Sequence, residues 1–84
     1  MKASVYWPGF GETAVRYALV CERTQDALRY WAMFWKDGLF MGSARDVLHR
    51  EHVSIERWTD STVEWLAVSR VERTLRGMFP REGS

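Results

Sequence analysis

Two histidines and an aspartate lie at three-residue intervals in the middle of the chain. Imidazole and carboxylate groups are common metal ligands, and on a helix Asp46, His49 and His52 would lie loosely on one side. Side chains three residues apart on a helix point in directions that differ by about 60°, however, and no fourth ligand lies at a recognisable spacing. Solvated or structural histidines are therefore favoured and no metal ligand is assigned, although a small metal-dependent enzyme that uses these three residues is an alternative.

Other residue types that carry out catalysis lack the neighbours they need. Cys21 is the single cysteine and has no histidine at motif spacing, and no serine lies in a Gly-x-Ser-x-Gly or Ser-x-x-Lys context. The glycine-rich residues 8–11 lack the length and the lysine of a phosphate-binding P-loop. We expect a protein that is not an enzyme, with no catalytic residues and no cofactor.

The strongest binding candidate is an aromatic residue among charged ones on the last predicted helix. Trp65 points about 120° away from the middle of the apolar stripe of that helix. Tryptophan and arginine are enriched at the energetic centres of protein interfaces, and Phe10 lies at the tip of a predicted loop. The predicted partner-binding residues are Trp65, Ser69, Glu72, Arg73, Arg76 and Phe10.

Three arginines on the same helix indicate an alternative partner. Arg70, Arg73 and Arg76 could contact the phosphates of a nucleic acid while exposed aromatic rings stack on its bases. They wind around the helix instead of forming one stripe, and 12 basic against 11 acidic residues leave a formal charge of +1. Such a balance produces no long-range attraction to nucleic acid or anionic lipid. Nucleic-acid binding is therefore an alternative to protein binding.

Length and composition limit the remaining possibilities. The chain of 84 residues supports one small hydrophobic core, so we expect a single domain over residues 1–84 with a frayed tail at 80–84. No apolar run approaches the roughly 20 residues that span a bilayer, no signal peptide is visible, and one cysteine excludes an intrachain disulfide. These features favour a cytoplasmic protein without membrane contact. Ten arginines against two lysines, one isoleucine and no asparagine are typical of a GC-rich bacterial or phage genome.

Two alternating runs and one aromatic segment dominate the first half of the chain. Residues 3–7 and 15–22 alternate in side-chain character and predict a first β-hairpin. Residues 25–37 are flanked by Thr24, a helix N-cap type, and by Gly38, a helix C-cap type, and they predict an amphipathic helix. We expect core positions for its apolar arc, which contains Ala27, Leu28, Trp31, Phe34 and Trp35.

The second half predicts less regular elements and one clear helix. Residues 39–41 form an apolar run typical of an edge strand, residues 44–50 predict a helical turn and residues 53–58 a strand. The capping-box pattern at residues 61–64 begins a helix that ends near Gly77. Its apolar stripe contains Ala67, Val68, Val71, Leu75 and Met78. The sequence therefore predicts an α+β fold, a small antiparallel sheet of three or four strands with two helices packed on one face, in the order β-β-α-(β)-β-α.

A whole domain without recognisable active-site chemistry favours binding as its activity. We expect a small stand-alone protein-binding module of adaptor or inhibitor type, such as a phage or mobile element would encode against a host complex. A protein partner is favoured, a nucleic acid is the alternative, and self-association as a homo-oligomer is a further one. The expected binding region is the exposed side of the last helix, whereas the rings at positions 31, 34 and 35 are expected in the interior.

Overall fold

Four β-strands and one α-helix make up the described part of the chain. The computed structural model describes residues 1–9 and 13–80. In chain order the elements are β1 (Lys2–Tyr6), β2 (Val15–Arg23), β3 (Ala27–Lys36), β4 (Leu39–His49), a turn of 3-10 helix at Arg50–His52 and helix α1 (Asp60–Met78). The strands pair antiparallel in the spatial order β1-β2-β3-β4, so each strand neighbours the next one along the chain. Helix α1 crosses one face of this sheet and contacts β2 and β3.

The predicted fold with two helices is wrong. The described elements follow the order β-β-β-β-α, so a four-stranded antiparallel sheet carries a single α-helix, the C-terminal one. The first hairpin and the last helix lie where the sequence predicts them. The error therefore lies in the middle of the chain, where strands replace a predicted long helix and a predicted helical turn.

The segment predicted as an aromatic helix over residues 25–37 is strand β3. Its buried side chains, Leu28, Tyr30, Ala32 and Phe34, recur at every second residue, which is the period of a strand. Aromatic residues have weak helix propensity and pack well on a pleated surface. Strand β3 also pairs on both sides, with β2 and with β4, so its backbone groups find partners along its whole length.

Both flanks of β3 are hairpin turns and not helix caps. The Thr24 N–H donates to the carbonyl oxygen of Ala27 at 2.8 Å, and the Ala27 N–H donates to Thr24 Oγ1 at 3.0 Å. At the other end, Asp37 and Gly38 form a two-residue loop between β3 and β4, with φ angles of 54° and 76°. Two consecutive positive φ angles mark a type I′ turn, whose twist matches that of an antiparallel hairpin. Gly38 therefore supplies a left-handed residue to a turn.

Strand β4 continues through the region predicted as a helical turn. Residues 39–41 lie in this edge strand as predicted, but the backbone stays extended as far as His49, so the helix predicted over residues 44–50 is wrong. A β-bulge interrupts the register between β3 and β4 beside Gly42, which has a φ of 133°. That conformation suits glycine and lets the strand absorb one extra residue without losing its alternation on either side.

The connection between β4 and α1 contains no strand, so the strand predicted over residues 53–58 is wrong. Val53 and Ile55 are partly buried and pack against the core, as the alternating pattern requires, but no neighbouring strand pairs with them. Trp58 ends this connection and is 8% exposed. Its indole N–H donates to the carbonyl oxygen of Thr24 at 2.7 Å, which fixes the connection against the β2–β3 turn.

Helix α1 covers the core side of the sheet. Thr59 is its N-cap, and a capping box joins Thr59 to Thr62 in place of the pair predicted at residues 61 and 64. The buried side chains of the helix are Val63, Ala67, Val71 and Leu75. Met78, predicted in the apolar stripe, is exposed in the last turn. The strands contribute the core residues Tyr6, Val15, Tyr17, Leu19, Leu28, Tyr30, Ala32, Phe34 and Leu48.

The outer side of α1 is charged, which sets it apart from a membrane span. Glu64, Glu72, Arg73 and Arg76 lie along the helix. No helix within residues 1–9 and 13–80 is both long enough and apolar enough to cross a bilayer.

Candidate binding site on the open face of the sheet

One face of the sheet has no covering layer among the described residues. Helix α1 packs on the face that bears Leu19 and Phe34, and the alternate side chains of each strand point the other way, into solvent. We call this second face the open face. Its side chains are Ala3, Val5, Arg16, Ala18, Val20, Glu22, Arg29, Trp31, Met33, Trp35, Phe40, Ser43, Arg45 and Val47. Trp31 is 54% exposed and Phe40 59% exposed, although large apolar side chains are normally buried.

The predicted interior position is wrong for two of the three rings of the aromatic segment. Phe34 is fully buried under α1, whereas Trp31 is exposed on the open face and Trp35 is half-buried on that same face. On a helix these three rings would share one side. On a strand, odd and even residues point in opposite directions, so the two tryptophans separate from the phenylalanine. The aromatic segment therefore contributes both to the core and to the exposed surface.

The cross-strand register orders the open face into rows of directly opposed residues. From one end to the other the rows are Glu22, Arg29 and Val47, then Val20, Trp31 and Arg45, then Ala3, Ala18, Met33 and Ser43, and finally Val5, Arg16, Trp35 and Phe40. Directly opposed side chains contact each other and form a continuous surface. The rings of Trp35 and Phe40 illustrate this, since their centroids are 5.9 Å apart with an edge-to-face angle of 66°.

The open face has a low half and a high half. Strands β1 and β2 contribute small apolar side chains to it, namely Ala3, Val5, Ala18 and Val20. Strands β3 and β4 contribute large ones, namely Trp31, Met33, Trp35 and Phe40. A groove of about 520 Å³ crosses β2, β3 and β4 at one end of the face, and its lining includes Val20, Glu22, Arg29, Trp31, Arg45 and Val47. The relief gives the surface a shape that a complementary partner can fill.

The charges of the open face are mainly positive and stand at its margins. Arg16, Arg29 and Arg45 project from three different strands, and Glu22 is the acidic residue among the side chains of this face. Glu22 lies directly opposite Arg29 in the β2–β3 register. The ion pairs of the described residues nevertheless include neither of them, so both charges are available for contacts outside the chain.

The residues predicted to bind a partner through the last helix do lie on its solvent side. Trp65 is 67% exposed, and Arg73 and Arg76 are exposed on the same helix. Ser69 is half-buried and its hydroxyl donates to the carbonyl oxygen of Trp65 at 3.0 Å, while Glu72 is half-buried as well. Phe10, the remaining predicted contact, lies outside the described residues. The helix therefore brings these side chains together, but with one large apolar side chain among polar ones.

The arginines of the alternative nucleic-acid interpretation spread around α1. Arg73 and Arg76 are exposed and Arg70 is half-buried, and steps of three residues turn the helix by about 300° each time. The three guanidinium groups thus occupy different sides of the helix and do not align along one phosphate backbone. The open face has Arg16 and Arg45 beside aromatic rings. It is therefore more similar than α1 to surfaces that bind single-stranded nucleic acid.

The three residues of the alternative metal site are divided between two elements. Asp46 and His49 lie on β4, at a spacing that sends them to opposite faces, and His52 lies in the 3-10 turn. The two imidazole rings do approach each other, with centroids 5.8 Å apart. The Asp46 carboxylate accepts a hydrogen bond from the N–H of Val47 at 2.8 Å. In the described ranges, no three His, Cys, Asp or Glu side chains gather closely enough to share an ion.

A hydrogen bond with Glu64 raises the pKa of Lys2, and two further titratable groups with shifted pKa values belong to the side of the sheet that α1 covers. Burial raises the pKa of the Cys21 thiol, which makes it a poorer nucleophile at neutral pH. Burial also raises the pKa of the Tyr30 hydroxyl, and the Asp46 carboxylate adds to that shift. Both shifts follow from packing against the core and favour the neutral, unreactive form of each group.

The sequence contains a signal for the open face that its helix-like flanks conceal. An Asp-Gly pair between two apolar alternating runs is the strongest short-range indication of a hairpin, and Asp37-Gly38 is such a pair. A hairpin turn at Asp37-Gly38 predicts a strand over residues 28–36. On that strand Trp31, Met33 and Trp35 lie together on one face. The exposed surface could therefore have been inferred from one turn.

Comparisons with known proteins add no relative to this picture. The chain matches no protein-family model, no curated protein and no solved structure at a significant level of similarity.

Proposed function

We propose that the chain is a non-enzymatic protein-binding module of adaptor or inhibitor type, and that the open face is its binding surface. The observation that carries the proposal is the exposure of Trp31 and Phe40 among the apolar side chains of the open face. A sheet is stable in water when its apolar face packs against another layer, and exposed apolar patches of several hundred square ångströms mark interaction sites.

The size of the open face supports this proposal. Four strands spaced about 4.8 Å apart and about eight positions of about 3.4 Å each span roughly 500 Å². Nine of the fourteen side chains of this face are apolar, so its apolar part covers roughly 300 Å² and falls within the range of patches that are often functional. The solvent side of α1 offers Trp65 as a lone anchor, so it supports binding less strongly than the open face does.

The expected setting is a reducing cytoplasm. Cys21 is the single cysteine and cannot form an intrachain disulfide, which small secreted domains usually require. The fold obtains its stability from a layer of apolar residues between sheet and helix, without any cross-link.

A second candidate function is the binding of single-stranded nucleic acid on the same face. The observation that favours it is the alternation of Arg16, Arg29 and Arg45 with the rings of Trp31 and Trp35, because such surfaces stack bases and contact phosphates. The formal charge of +1 weakens this candidate, since single-strand binders attract their ligand electrostatically. A titration with a labelled oligonucleotide at low salt tests it, and absence of binding there removes it.

Affinity capture with matched variants tests the main proposal. The wild-type protein, Trp31→Ser and Trp65→Ser are each used as bait, through a tag on the C-terminal tail, in lysate of the cells that contain the protein naturally. We expect a protein partner, which includes an untagged copy of the same chain, to be retained by the wild type and by Trp65→Ser and to be lost from Trp31→Ser.

Two outcomes contradict the proposal. Retention by Trp31→Ser together with loss from Trp65→Ser moves the binding site to α1, where Trp65→Ala combined with Arg73→Ala then abolishes capture. Failure of the wild type to retain any protein, its own copies included, contradicts the module itself. Circular dichroism of each bait shows that the fold is intact before the comparison is made.

A further inference from the structure

We infer that the occupant of the open face is a second copy of the same chain, packed sheet against sheet about a two-fold axis along the boundary between β2 and β3. The inference rests on the proposed function and names the partner of that same surface. The relief of the face, the placement of its charges and its area each support a second copy.

The two-fold axis fixes which residues meet. When the axis runs parallel to the strands above the β2–β3 boundary, β2 of one copy lies over β3 of the other, and β1 lies over β4. Each row of cross-strand neighbours then faces the same row of the second copy. Aligned sheets pack about 10 Å apart and cross at about 30°, so the central rows keep this match most closely. Such an interface uses the same surface on both copies, as a closed dimer requires.

The relief of the open face is self-complementary in this arrangement. The high half of each copy lies on the low half of the other, so large side chains meet small ones. Val20 faces Trp31 of the second copy, and Ala18 faces Met33 of the second copy, because these residues are cross-strand neighbours within one chain. The indole of the second copy's Trp31 enters the groove beside Val20. Any arrangement that puts Trp31 on Trp31 instead leaves the low halves uncovered.

The charges of the open face are self-complementary as well. Glu22 meets Arg29 of the second copy, and the symmetry produces this pair twice. Arg16 meets the ring of Trp35 of the second copy, a pairing that allows a cation–π contact. Neither Glu22 nor Arg29 belongs to an ion pair of the described residues, so each of them can pair with the opposite charge of the second copy.

The area predicts a reversible dimer. Two faces of roughly 500 Å² bury about 1,000 Å² in total, which lies at the lower limit of specific interfaces, where weak and reversible association is typical. A single-stranded nucleic acid would place phosphates near Glu22 and would leave the low half of the face without a complementary shape. A second copy accounts for both features, so it is the better occupant.

Sedimentation equilibrium over a micromolar concentration range tests the inference on the purified wild-type protein. We expect a monomer–dimer equilibrium. The variant Trp31→Ser removes the side chain that enters the groove, and we expect it to raise the dissociation constant by about tenfold or more. Its matched control is Trp65→Ser on α1, which we expect to leave the dissociation constant unchanged.

A charge-reversal experiment tests the two-fold arrangement specifically. In Glu22→Arg, and separately in Arg29→Glu, like charges face each other twice across the interface, so each variant alone is expected to be monomeric. In an equimolar mixture, Arg at position 22 of one chain meets Glu at position 29 of the other, while Glu22 of the second chain meets Arg29 of the first. The dimer should return, although the two residues within each chain still carry like charges. Glu72→Arg and Arg73→Glu on α1 are the matched controls and should dimerise as the wild type does.

The outcomes separate this inference from the proposed function. A mixture that stays monomeric while the wild type dimerises overturns the two-fold arrangement. A wild type that is monomeric over the whole range overturns self-association, and capture of a different protein through Trp31 then leaves the proposed function standing. Loss of the dimer in Trp65→Ser but not in Trp31→Ser overturns both. Salt-sensitive binding of an oligonucleotide by a monomeric protein overturns both in favour of the second candidate function.

Discussion

The indole nitrogen of Trp58 donates a hydrogen bond of 2.7 Å to the main-chain carbonyl oxygen of Thr24. This contact joins the irregular connection before α1 to the turn between β2 and β3. Trp58 and Thr24 are 34 residues apart in the chain. The guanidinium of Arg50 lies over the same indole, 5.7 Å from the ring centre. Trp58 thus closes one end of the core by packing and by one directed polar contact.

Replacement of Trp58 by phenylalanine should destabilise the fold. The change removes the hydrogen bond to Thr24 and leaves a gap at the edge of the core, and we expect the free energy of unfolding to fall by about 1–3 kcal/mol. Urea denaturation followed by circular dichroism measures this. Trp65→Phe is the matched control, since Trp65 is exposed and its replacement should change the free energy by less than about 0.5 kcal/mol. Equal effects of the two substitutions would contradict the structural role given to Trp58.

Two glycines should respond with opposite signs to the same substitution. Gly38 has a φ of 76° in the β3–β4 turn, so Gly38→Ala forces a side chain into the left-handed region and should lower the free energy of unfolding by about 1 kcal/mol. Gly77 lies in α1 with helical geometry, so Gly77→Ala should raise it by about 0.5–1 kcal/mol. Neither new Cβ meets an atom within 4 Å, so backbone conformation alone decides the sign. Thermal and urea unfolding of both variants measure the difference, and a stabilising Gly38→Ala would exclude the type I′ turn.

The regular elements at the two ends of the chain could be predicted because local pattern and tertiary packing agree there. In β2, Val15, Tyr17 and Leu19 alternate with exposed residues, and in α1 the apolar residues return every four positions. Each pattern predicts the same element whichever part of the chain packs against it. The capping pair predicted for α1 was wrong, but the predicted start of the helix differs by only about two residues. Thr59 and Thr62 make the capping contacts that were expected of residues 61 and 64.

The middle of the chain could not be predicted in the same way because its residues satisfy two periods at once. Phe34 lies on the same side as Trp31 at helical spacing and on the same side as Tyr30 at strand spacing. Thr24 and Gly38 suit helix caps and hairpin turns equally well. Pairing with β2 and β4 selects the strand, and this is tertiary information that no window of residues 25–37 contains.

The same ambiguity between helix and strand explains why the sequence predicts a binding site on α1 and not on the open face. A helix at residues 25–37 would have buried Trp31 and Trp35 and left Trp65 as the conspicuous exposed ring. A strand exposes Trp31 as well and places it beside Val20 and Met33 in one surface. The exposure of Trp65 was predictable because the helix that bears it was predictable, whereas the open face requires the sheet.

Alkaline pH should lower the free energy of unfolding, because several groups have a higher pKa in the folded state than in the unfolded chain. Burial raises the pKa of Tyr30, so the folded state holds this proton more tightly than the unfolded chain does. The resulting contribution to stability is fully present below the ordinary tyrosine pKa of about 10 and is lost as the pH rises through the raised value. Burial raises the pKa of Cys21, and a hydrogen bond with Glu64 raises that of Lys2, so both act in the same direction.

Tyr30→Phe isolates the tyrosine contribution to this alkaline loss. The free energy of unfolding, measured in urea between about pH 8 and about pH 11, should fall less steeply with pH in the variant than in the wild type, because one titrating group with a raised pKa is gone. Below about pH 9 the two slopes should be the same. A variant whose stability falls as steeply as that of the wild type over the whole interval would show that Tyr30 titrates alike in the folded and unfolded states.

Two buried tyrosines offer a last comparison. The Tyr6 hydroxyl donates to the carbonyl oxygen of Phe79 at 3.3 Å, whereas the Tyr17 hydroxyl is buried and has no hydrogen-bond partner among the described residues. An unpaired buried hydroxyl loses its hydration without compensation, so Tyr17→Phe should leave the free energy of unfolding unchanged or raise it by up to about 1 kcal/mol. Tyr6→Phe should lower it by about 0.5–1.5 kcal/mol. Urea denaturation of the two variants under identical conditions gives the comparison, and a loss in Tyr17→Phe as large as that in Tyr6→Phe would mean that the Tyr17 hydroxyl is hydrogen-bonded in solution.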